Sequence, residues 1–292
     1  MKLIIAIIFL VFSVNVFSQQ PDIYRVNNIP LEINPAFAGS YNQFRIDFLR
    51  RQQWIGEENS PVANVLSTDI ALPGVNSGVG FHVYMLQNQA IQKTVLNFSY
   101  AYIMKIGSFD LQFGAAIKYN HNKFDFSSLI TYEPDPLLQN QSDKFYRLSL
   151  SGGALVYNPN FYFSVSYFDF LLQTDETEMD YNNHFLNVIS GYHFFKGEKL
   201  SFCPSLIMKS DLRSFDSQKN GHTIVGVNLT ATLNGIAWFG FAYDSNEEYS
   251  VGAGVNIWRF YGAMRYVIES NNEDYLKNGI FEINTGFYFD RK

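Results

Sequence analysis

Residues 96–104 read Leu-Asn-Phe-Ser-Tyr-Ala-Tyr-Ile-Met, and bulky apolar or aromatic side chains occupy every second position from Leu96 to Met104. The alternation extends from Lys93 to Lys105, with Asn97 among the polar residues between them. Successive side chains of a β-strand point to opposite faces, so a period of two indicates a strand whose two faces meet different surroundings. This stretch therefore predicts a strand with one apolar face and one polar face.

The same period recurs along the rest of the chain. Most of the segments approach the roughly 9–11 residues that a tilted strand needs to cross a bilayer. There are about fourteen of them, an even number, as in bacterial single-chain barrels. The predicted strands are 43–54, 62–72, 78–87, 93–105, 109–120, 144–157, 160–171, 183–195, 199–211, 222–233, 236–244, 249–257, 259–269 and 279–289. No convincing helix is predicted after residue 18.

Short and long connections alternate between these strands. The short ones are 72–76, 106–108, 158–159, 196–198, 234–235 and the corner at Trp258. The others are 55–61, 88–92, 121–143, 172–182, 212–221, 245–248 and 270–278, most of them longer and polar. Outer-membrane barrels sort their connections in this way, with short periplasmic turns and longer extracellular loops.

Charged residues lie on the polar face of the predicted strands. A lipid-facing Arg or Lys costs about 2–4 kcal/mol at the middle of the bilayer, so this segregation is what a barrel wall needs. The residues expected to face the lumen are Arg45, Asp47, Arg51, Lys118, Arg147, Arg265 and Glu282, with Lys209 on a polar face as well. Two interpretations stay open for these charges: an ion-pair network that rigidifies the lumen, or a socket for a segment of a partner protein.

These patterns predict an all-β protein, a transmembrane antiparallel up-and-down β-barrel of about 14 strands in the outer membrane. The alternative is a soluble β-sandwich with one wet face, which should carry more Lys and Glu on that face. Composition favours the barrel. Aromatic residues make up 17% of the 292 residues and charged residues 16%, against about 25% charged residues in ordinary soluble domains.

The net charge of −6 and the lack of a clustered basic patch exclude nucleic acid as a partner. Outer-membrane lipid is the expected surrounding of the apolar face.

The first residues predict export. Met1 and Lys2 precede an apolar core, and Val16 and Ser18 fit a cleavage site, so residues 1–18 are expected to be a signal peptide. Residues 19–42 are expected to be an extended periplasmic strap or a partial lumen plug, and residues 43–292 the barrel. Pro30 and Pro35 disfavour helical backbone before them, so no helix is expected at 29–33. Asn34, Pro35, Ala36, Phe37, Ala38 and Gly39 then form a turn that leads into the first strand.

No arrangement of residues predicts catalysis. The five histidines are scattered, and no nucleophile elbow, P-loop or zinc-protease motif is present. Cys203 is the single cysteine and is expected to be a small strand residue. We therefore predict a protein that is not an enzyme and that has no cofactor and no metal site.

Two of the predicted extracellular loops carry acidic residues. Loop 121–143 includes Glu133 and Asp135, and loop 172–182 includes Asp175, Glu176, Glu178 and Asp180. The second cluster lacks the glycine and spacing of a calcium loop, which favours a solvated loop over a calcium site. A loop as long as 121–143 is often functional. We expect both loops to contact an extracellular partner.

Several stretches resemble the PorP/SprF family of outer-membrane proteins from type IX secretion and gliding systems. They are Asn34–Gly39, Arg45–Trp54, Gly78–Phe81, Leu96–Tyr102, Leu111–Gly114 and Tyr157–Ser166. The likeness covers nearly all of the expected mature chain. It implies a barrel that acts with type IX secretion components and pairs with a large secreted surface adhesin. A periplasmic peptidoglycan-associated protein is a further partner that the resemblance suggests.

A transport channel is the alternative function. A porin should have a roomier and more charged lumen, and a FadL-like carrier of hydrophobic solutes usually has a longer chain with a substantial plug domain.

Overall fold

The computed structural model describes residues 29–57, 59–89, 91–125, 142–174, 185–211, 223–269 and 279–290. The predicted signal peptide, residues 1–18, and the loop residues Glu133, Asp135, Asp175, Glu176, Glu178 and Asp180 lie outside these ranges. The strands are β1 Gln43–Gln53, β2 Val62–Leu72, β3 Ser77–Asn88, β4 Ile91–Ile106, β5 Phe109–Asp125, β6 Ser142–Tyr157, β7 Phe161–Thr174, β8 Phe185–Tyr192, β9 Leu200–Asp211, β10 Thr223–Leu233, β11 Ala237–Asp244, β12 Glu248–Ile257, β13 Phe260–Glu269 and β14 Ile280–Asp290.

The fourteen strands form one closed antiparallel barrel in which each strand pairs with its neighbours in sequence. The barrel closes between β1 and β14, where Gln43 pairs with Asp290 and Gln53 with Ile280. Closure leaves no unpaired sheet edge, which is what a β-structure needs to cross a bilayer. The predicted barrel and its strand number are confirmed.

The wall separates the two kinds of side chain as the alternation predicts. On β4, Phe98 is 57% exposed on the outer surface while its neighbour Asn97 is 1% exposed. The outer face carries large apolar residues on every strand, such as Ile117 and Phe239. We call the side that carries Asn97 and Ser99 the lumen face.

The connections differ between the two ends of the barrel. One end has the turns 73–76, 107–108, 158–160, 193–199, 234–236 and 258–259, together with the start of β1 and the end of β14. Short turns of outer-membrane barrels face the periplasm, so we assign this end to the periplasm and the other, the loop end, to the cell surface. Among the described residues no helix is long and apolar enough to span a membrane.

Some predicted boundaries were wrong. β5 continues to Asp125 and β6 begins at Ser142, so the predicted loop 121–143 is shorter than expected. β7 likewise reaches Thr174, inside the predicted loop 172–182. The outer face of β5 becomes polar beyond Tyr119, and apolar alternation cannot detect a strand there. At the other end, β8 stops at Tyr192 instead of residue 195: Phe194 forms an isolated bridge with Phe202, and Phe195 takes a positive φ of 55° in a turn.

The expectation of no helix at 29–33 was also wrong. Pro30–Ile33 forms a single α-helical turn, α1, and Pro35–Phe37 forms a 3₁₀ turn. Pro30 occupies the first helical position, where a backbone N–H would have no partner within the helix, so its absence in proline costs nothing. The residues directly before the prolines, Ile29 and Asn34, are not helical, with ψ angles of 80° and 122°. The restriction before proline therefore acts on those two residues only.

Candidate functional site

The segment Ile29–Tyr41 lies inside the barrel, and we call it the plug segment. Its backbone rests on glycines of the lumen face: a Cβ atom at Gly114 would overlap the backbone of Ala36, and one at Gly78 would overlap the carbonyl of Ala38. Such close approach requires residues without a side chain. The chain therefore passes directly against the inner wall at β3 and β5.

Asn34 fixes the middle of the plug segment. Its Nδ2 lies within hydrogen-bonding distance of three acceptors, the carbonyls of Ala154 and Val165, each at 3.0 Å, and Ser164 Oγ at 2.7 Å. Its Oδ1 accepts from the backbone N–H of Ala36 at 2.8 Å. The side chain is fully buried, and a Cβ at Gly153 would overlap it. One amide group thus connects the 3₁₀ turn to β6 and β7.

Three further hydrogen bonds connect the plug segment to the wall. Ser166 Oγ donates to the carbonyl of Ile33 at 2.7 Å, and Tyr157 Oη donates to the carbonyl of Ser40 at 3.1 Å. The backbone N–H of Gly39 donates to Asp69 Oδ2 at 3.0 Å. Gly39 has a φ of +71°, which a side chain would disfavour. The segment is therefore bonded along its length to β2, β6 and β7.

Apolar contacts hold the beginning of the plug segment. Ile29 packs with Leu49 and Val65, and all three side chains are fully buried, with Tyr84 beside them. The burial of Ile29 explains why β1 and β2 carry large apolar residues on a face that is otherwise polar.

Leu31 makes the second apolar contact. It packs with Ala38 and Ala101, and a Cβ at Gly80 would lie 2.6 Å from Leu31 Cδ2.

A charged cluster lies beside the end of the plug segment. Arg45 Nη2 lies 2.7 Å from Asp47 Oδ2, and Arg45 Nε lies 3.7 Å from Asp69 Oδ1. The Arg45 guanidinium stacks 4.3 Å from the ring centroid of Tyr41, and Tyr261 Oη donates to Asp47 Oδ1. Because Asp69 also accepts the bond from Gly39, this cluster ties the plug segment to the seam between β1 and its neighbours.

A second ion pair lies nearer the loop end. Arg51 Nη1 and Glu282 Oε1 are 3.3 Å apart and join β1 to β14. Arg265 is the direct neighbour of Glu282 on β13. All three side chains are buried, and Glu282 is 1% exposed. The network interpretation fits these three residues, because buried charges need partners.

The other predicted lumen charges lie apart from these clusters. Lys118 Nζ is 5.2 Å from the ring centroid of Phe168, and Lys209 Nζ is 4.4 Å from that of Phe185. Arg147 is buried on β6. Lys118 lies on β5 beyond Gly114 in the direction of the loop end, so these cations line the lumen past the plug segment.

Aromatic side chains cover other parts of the lumen face in the periplasmic half. Tyr162 packs over Gly191, Tyr261 over Gly286, and Trp238 lies against Gly254. The plug segment and these aromatic residues therefore both lie in the periplasmic half of the lumen.

Cys203 lies beside a histidine at this end, with its Sγ 3.7 Å from His193 Nε2. Burial, with the nearby Lys196 ammonium adding to it, lowers the pKa of His193, so the imidazole is neutral near pH 7. Within the described ranges no cluster of His, Cys, Asp and Glu could hold a metal ion.

Sequence reasoning missed the wall positions that receive the plug segment, which are Gly78, Gly80, Gly114 and Gly153. The sequence does indicate one feature of these positions: each glycine falls on the polar face of its strand, which the alternation predicts to face the lumen. The contact partner of such a glycine cannot be read from its own strand.

Comparison with known proteins agrees with the fold. The TodX deltaS2S3 mutant monoaromatic hydrocarbon channel is 10% identical, with a TM-score of 0.50 over 91% of this chain and 95% of that chain. The Acinetobacter baumannii outer membrane protein Omp33 is 11% identical, with a TM-score of 0.49 over 85% and 98%. A Pseudomonas aeruginosa FadL homologue is 10% identical, with a TM-score of 0.48 over 84% and 89%. At 10% identity, the similarity to the hydrocarbon channel concerns the barrel fold alone.

No curated protein sequence matches the chain. The family model described as type IX secretion system membrane protein PorP/SprF matches residues 16–287. The match spans nearly the whole barrel and the plug segment, which confirms the resemblance drawn from the sequence and with it the outer-membrane location. The chain belongs to the PorP/SprF family of type IX secretion system membrane proteins.

Proposed function

We propose that this barrel acts through protein–protein contacts and without catalysis, as the outer-membrane partner that anchors a large cell-surface adhesin or assists its export. The main support for the proposal is the position of the plug segment. It lies in the periplasmic half of the lumen, where hydrogen bonds and packed apolar side chains hold it against the wall. A lumen filled in this way favours a scaffold over a passage for solutes. Membership of a secretion-system family agrees with that role.

The lumen past the plug segment is the first candidate contact surface. Lys118 and Lys209 lie there over Phe168 and Phe185, two rings that are neighbours on β7 and β8. Cations held over aromatic rings are suited to carboxylate groups of an inserted chain segment. This supports a socket at the loop end for a partner segment, while Arg45 and Arg51 serve the wall itself.

The predicted extracellular loops are the second candidate contact surface. Glu133 and Asp135 would lie in one loop, and Asp175, Glu176, Glu178 and Asp180 in the next. They follow β5 and β7, so both loops would lie on the side of the barrel where Lys118 lines the lumen. We propose that the adhesin contacts these loops before or while a segment enters the socket.

The periplasmic turns offer a surface for a peptidoglycan-associated partner. Phe195 and Trp258 take positive φ angles of 55° at the tips of their turns and are 66% and 79% exposed. Bulky residues rarely adopt this conformation, and large exposed apolar side chains are typical of contact sites or of the membrane interface.

The test is a mild-detergent purification of the tagged protein from its native outer membrane, with mass spectrometry of the co-purifying proteins. We expect a stoichiometric, very large secreted protein. A barrel without a companion that also speeds the swelling of liposomes in small solutes would contradict the proposal and favour the channel alternative.

A loop deletion locates the contact. Removing residues 133–141 should weaken capture of the partner while the barrel keeps its heat-resistant migration. Removing residues 214–219, in another long connection at the loop end, is the matched control and should leave capture unchanged. If the variant lacking residues 133–141 captures the partner as well as the control does, residues 133–141 are excluded as the contact.

A further inference from the structure

The outer face of β5 and β6 changes from apolar to basic near the loop end. On β5, Ile117 and Tyr119 are exposed on the outer face, and the next outward positions are His121 and Lys123. On β6, Tyr146 is followed outward by Lys144, which is exposed. Side chains two residues apart share a face, so the basic residues continue the lipid-facing surface upward.

Aromatic residues mark the level at which the hydrocarbon ends. Tyr119 and Tyr146 stack on the outer face with ring centroids 6.5 Å apart and an interplanar angle of 21°. Aromatic girdles of outer-membrane barrels lie at the membrane–water interfaces. Lys123 and Lys144 lie past this pair toward the loop end, at the level of the lipid headgroups of the outer leaflet.

The two lysines face each other. Lys123 and Lys144 are direct partners in the β5–β6 register. Like charges directly opposite each other on neighbouring strands destabilise the pair. Lys123 Nζ forms an ion pair with Asp125 Oδ2 at 3.2 Å, whereas Lys144 forms no ion pair within the described part of the chain. The cluster keeps a net positive charge on a surface that faces lipid.

We propose that Lys123 and Lys144 bind a phosphate group of lipid A, the phosphorylated glycolipid of the outer leaflet, with Tyr119 and Tyr146 packing against its acyl chains. Because both lysines lie on the outer face of the barrel, their ligand is a lipid and not a protein segment in the lumen. Because they lie at the loop end, that lipid belongs to the outer leaflet. Two neighbouring ammonium groups indicate a phosphate, which can accept hydrogen bonds from both. The two side chains arise from opposed positions about 4.5–5.5 Å apart at Cβ, a span that one phosphate bridges.

The experiment is native mass spectrometry of the purified full-length barrel with bisphosphorylated lipid A and with lipid A stripped of its phosphates. We expect the barrel to retain bisphosphorylated lipid A at least about tenfold better than the stripped form, and Lys123→Gln/Lys144→Gln to remove that preference. The matched control is Lys196→Gln/Lys199→Gln, which removes two positive charges at the periplasmic end. This variant should keep the preference for bisphosphorylated lipid A.

Two further measurements distinguish lipid A from other phosphate-containing ligands. Millimolar inorganic phosphate should not displace the lipid, and phosphatidylglycerol should be retained less well than bisphosphorylated lipid A. Equal retention of the two lipid A forms by the unmodified barrel would overturn the proposal, and this comparison does not depend on how the variants fold. Retention of phosphatidylglycerol equal to that of lipid A would overturn it as well, because any anionic lipid would then suffice.

Discussion

Asn34 is the single side chain on which the position of the plug segment depends most. Asn34→Ala removes the donor to Ser164 and to two strand carbonyls, and it removes the cap of Ala36. Leaving buried polar groups unpaired costs about 1–3 kcal/mol, which corresponds to a roughly 5- to 150-fold larger population of released plug segment. We expect faster hydrogen exchange at the Ala36 amide.

A matched control is Asn158→Ala. Asn158 also accepts backbone hydrogen bonds, from Asn160 and Phe161, but it lies in a periplasmic turn. Unchanged exchange at Ala36 in Asn34→Ala would show that the apolar contacts of Ile29 and Leu31 and the other hydrogen bonds, such as that from Ser166 to Ile33, hold the segment without Asn34.

The glycines of the lumen face are also needed to seat the plug segment. Gly114→Ala places a Cβ against the backbone of Ala36, and neither backbone can move away easily. We expect the plug segment to be displaced and to become sensitive to added protease. Gly152→Ala is the control, since its Cβ would meet only the carbonyl oxygen of Gly114, at 3.9 Å. Equal protease resistance of the two variants would contradict direct backbone contact at Gly114.

At the scale of elements, the strands were predictable, whereas the helical turn of the plug segment and its contacts with the wall were not. Period-two alternation is a local property of the chain, so segments such as Val62–Leu72 follow from the sequence alone. Beyond Tyr119 the outer face of β5 leaves the hydrocarbon and loses its apolar pattern, so the end of the strand was missed. The turn at Pro30–Ile33 is stabilised by burial of Leu31 and by contacts with distant strands, which no local pattern reveals.

Deletion of the plug segment tests its role as an element. All strand-to-strand hydrogen bonds are made without it, so the variant lacking residues 29–41 should still fold into a heat-resistant barrel. We expect a higher single-channel conductance in planar bilayers, because the periplasmic half of the lumen loses much of its filling. The control replaces residues 29–41 by a Gly/Ser chain of equal length, which should give an intermediate conductance. An unchanged conductance in both variants would place the closure in the aromatic residues around Tyr162 and Trp238.

At the scale of the whole molecule, the sequence predicts which face of each strand carries charge, but not which charges meet. Arg51 and Glu282 are 231 positions apart in the chain. They become neighbours only when β14 pairs with β1 in one register, and a slip by one residue would turn every side chain of a strand to the other face. The pair therefore depends on barrel closure, and the alternation on single strands cannot identify it.

This dependence predicts unequal effects of two neutralising substitutions at the seam. Glu282→Gln leaves Arg51 and Arg265 buried on either side without the carboxylate between them, a change that costs about 3–5 kcal/mol in buried ion pairs. Arg51→Gln leaves Glu282 beside Arg265 and should cost less. The measurement is the temperature at which heat-resistant migration is lost, with Lys209→Gln as a lumen control away from the seam. A transition temperature in Glu282→Gln equal to or above that of Arg51→Gln would mean that Glu282 does not hold both cations, and closure would then rest on the β1–β14 backbone ladder.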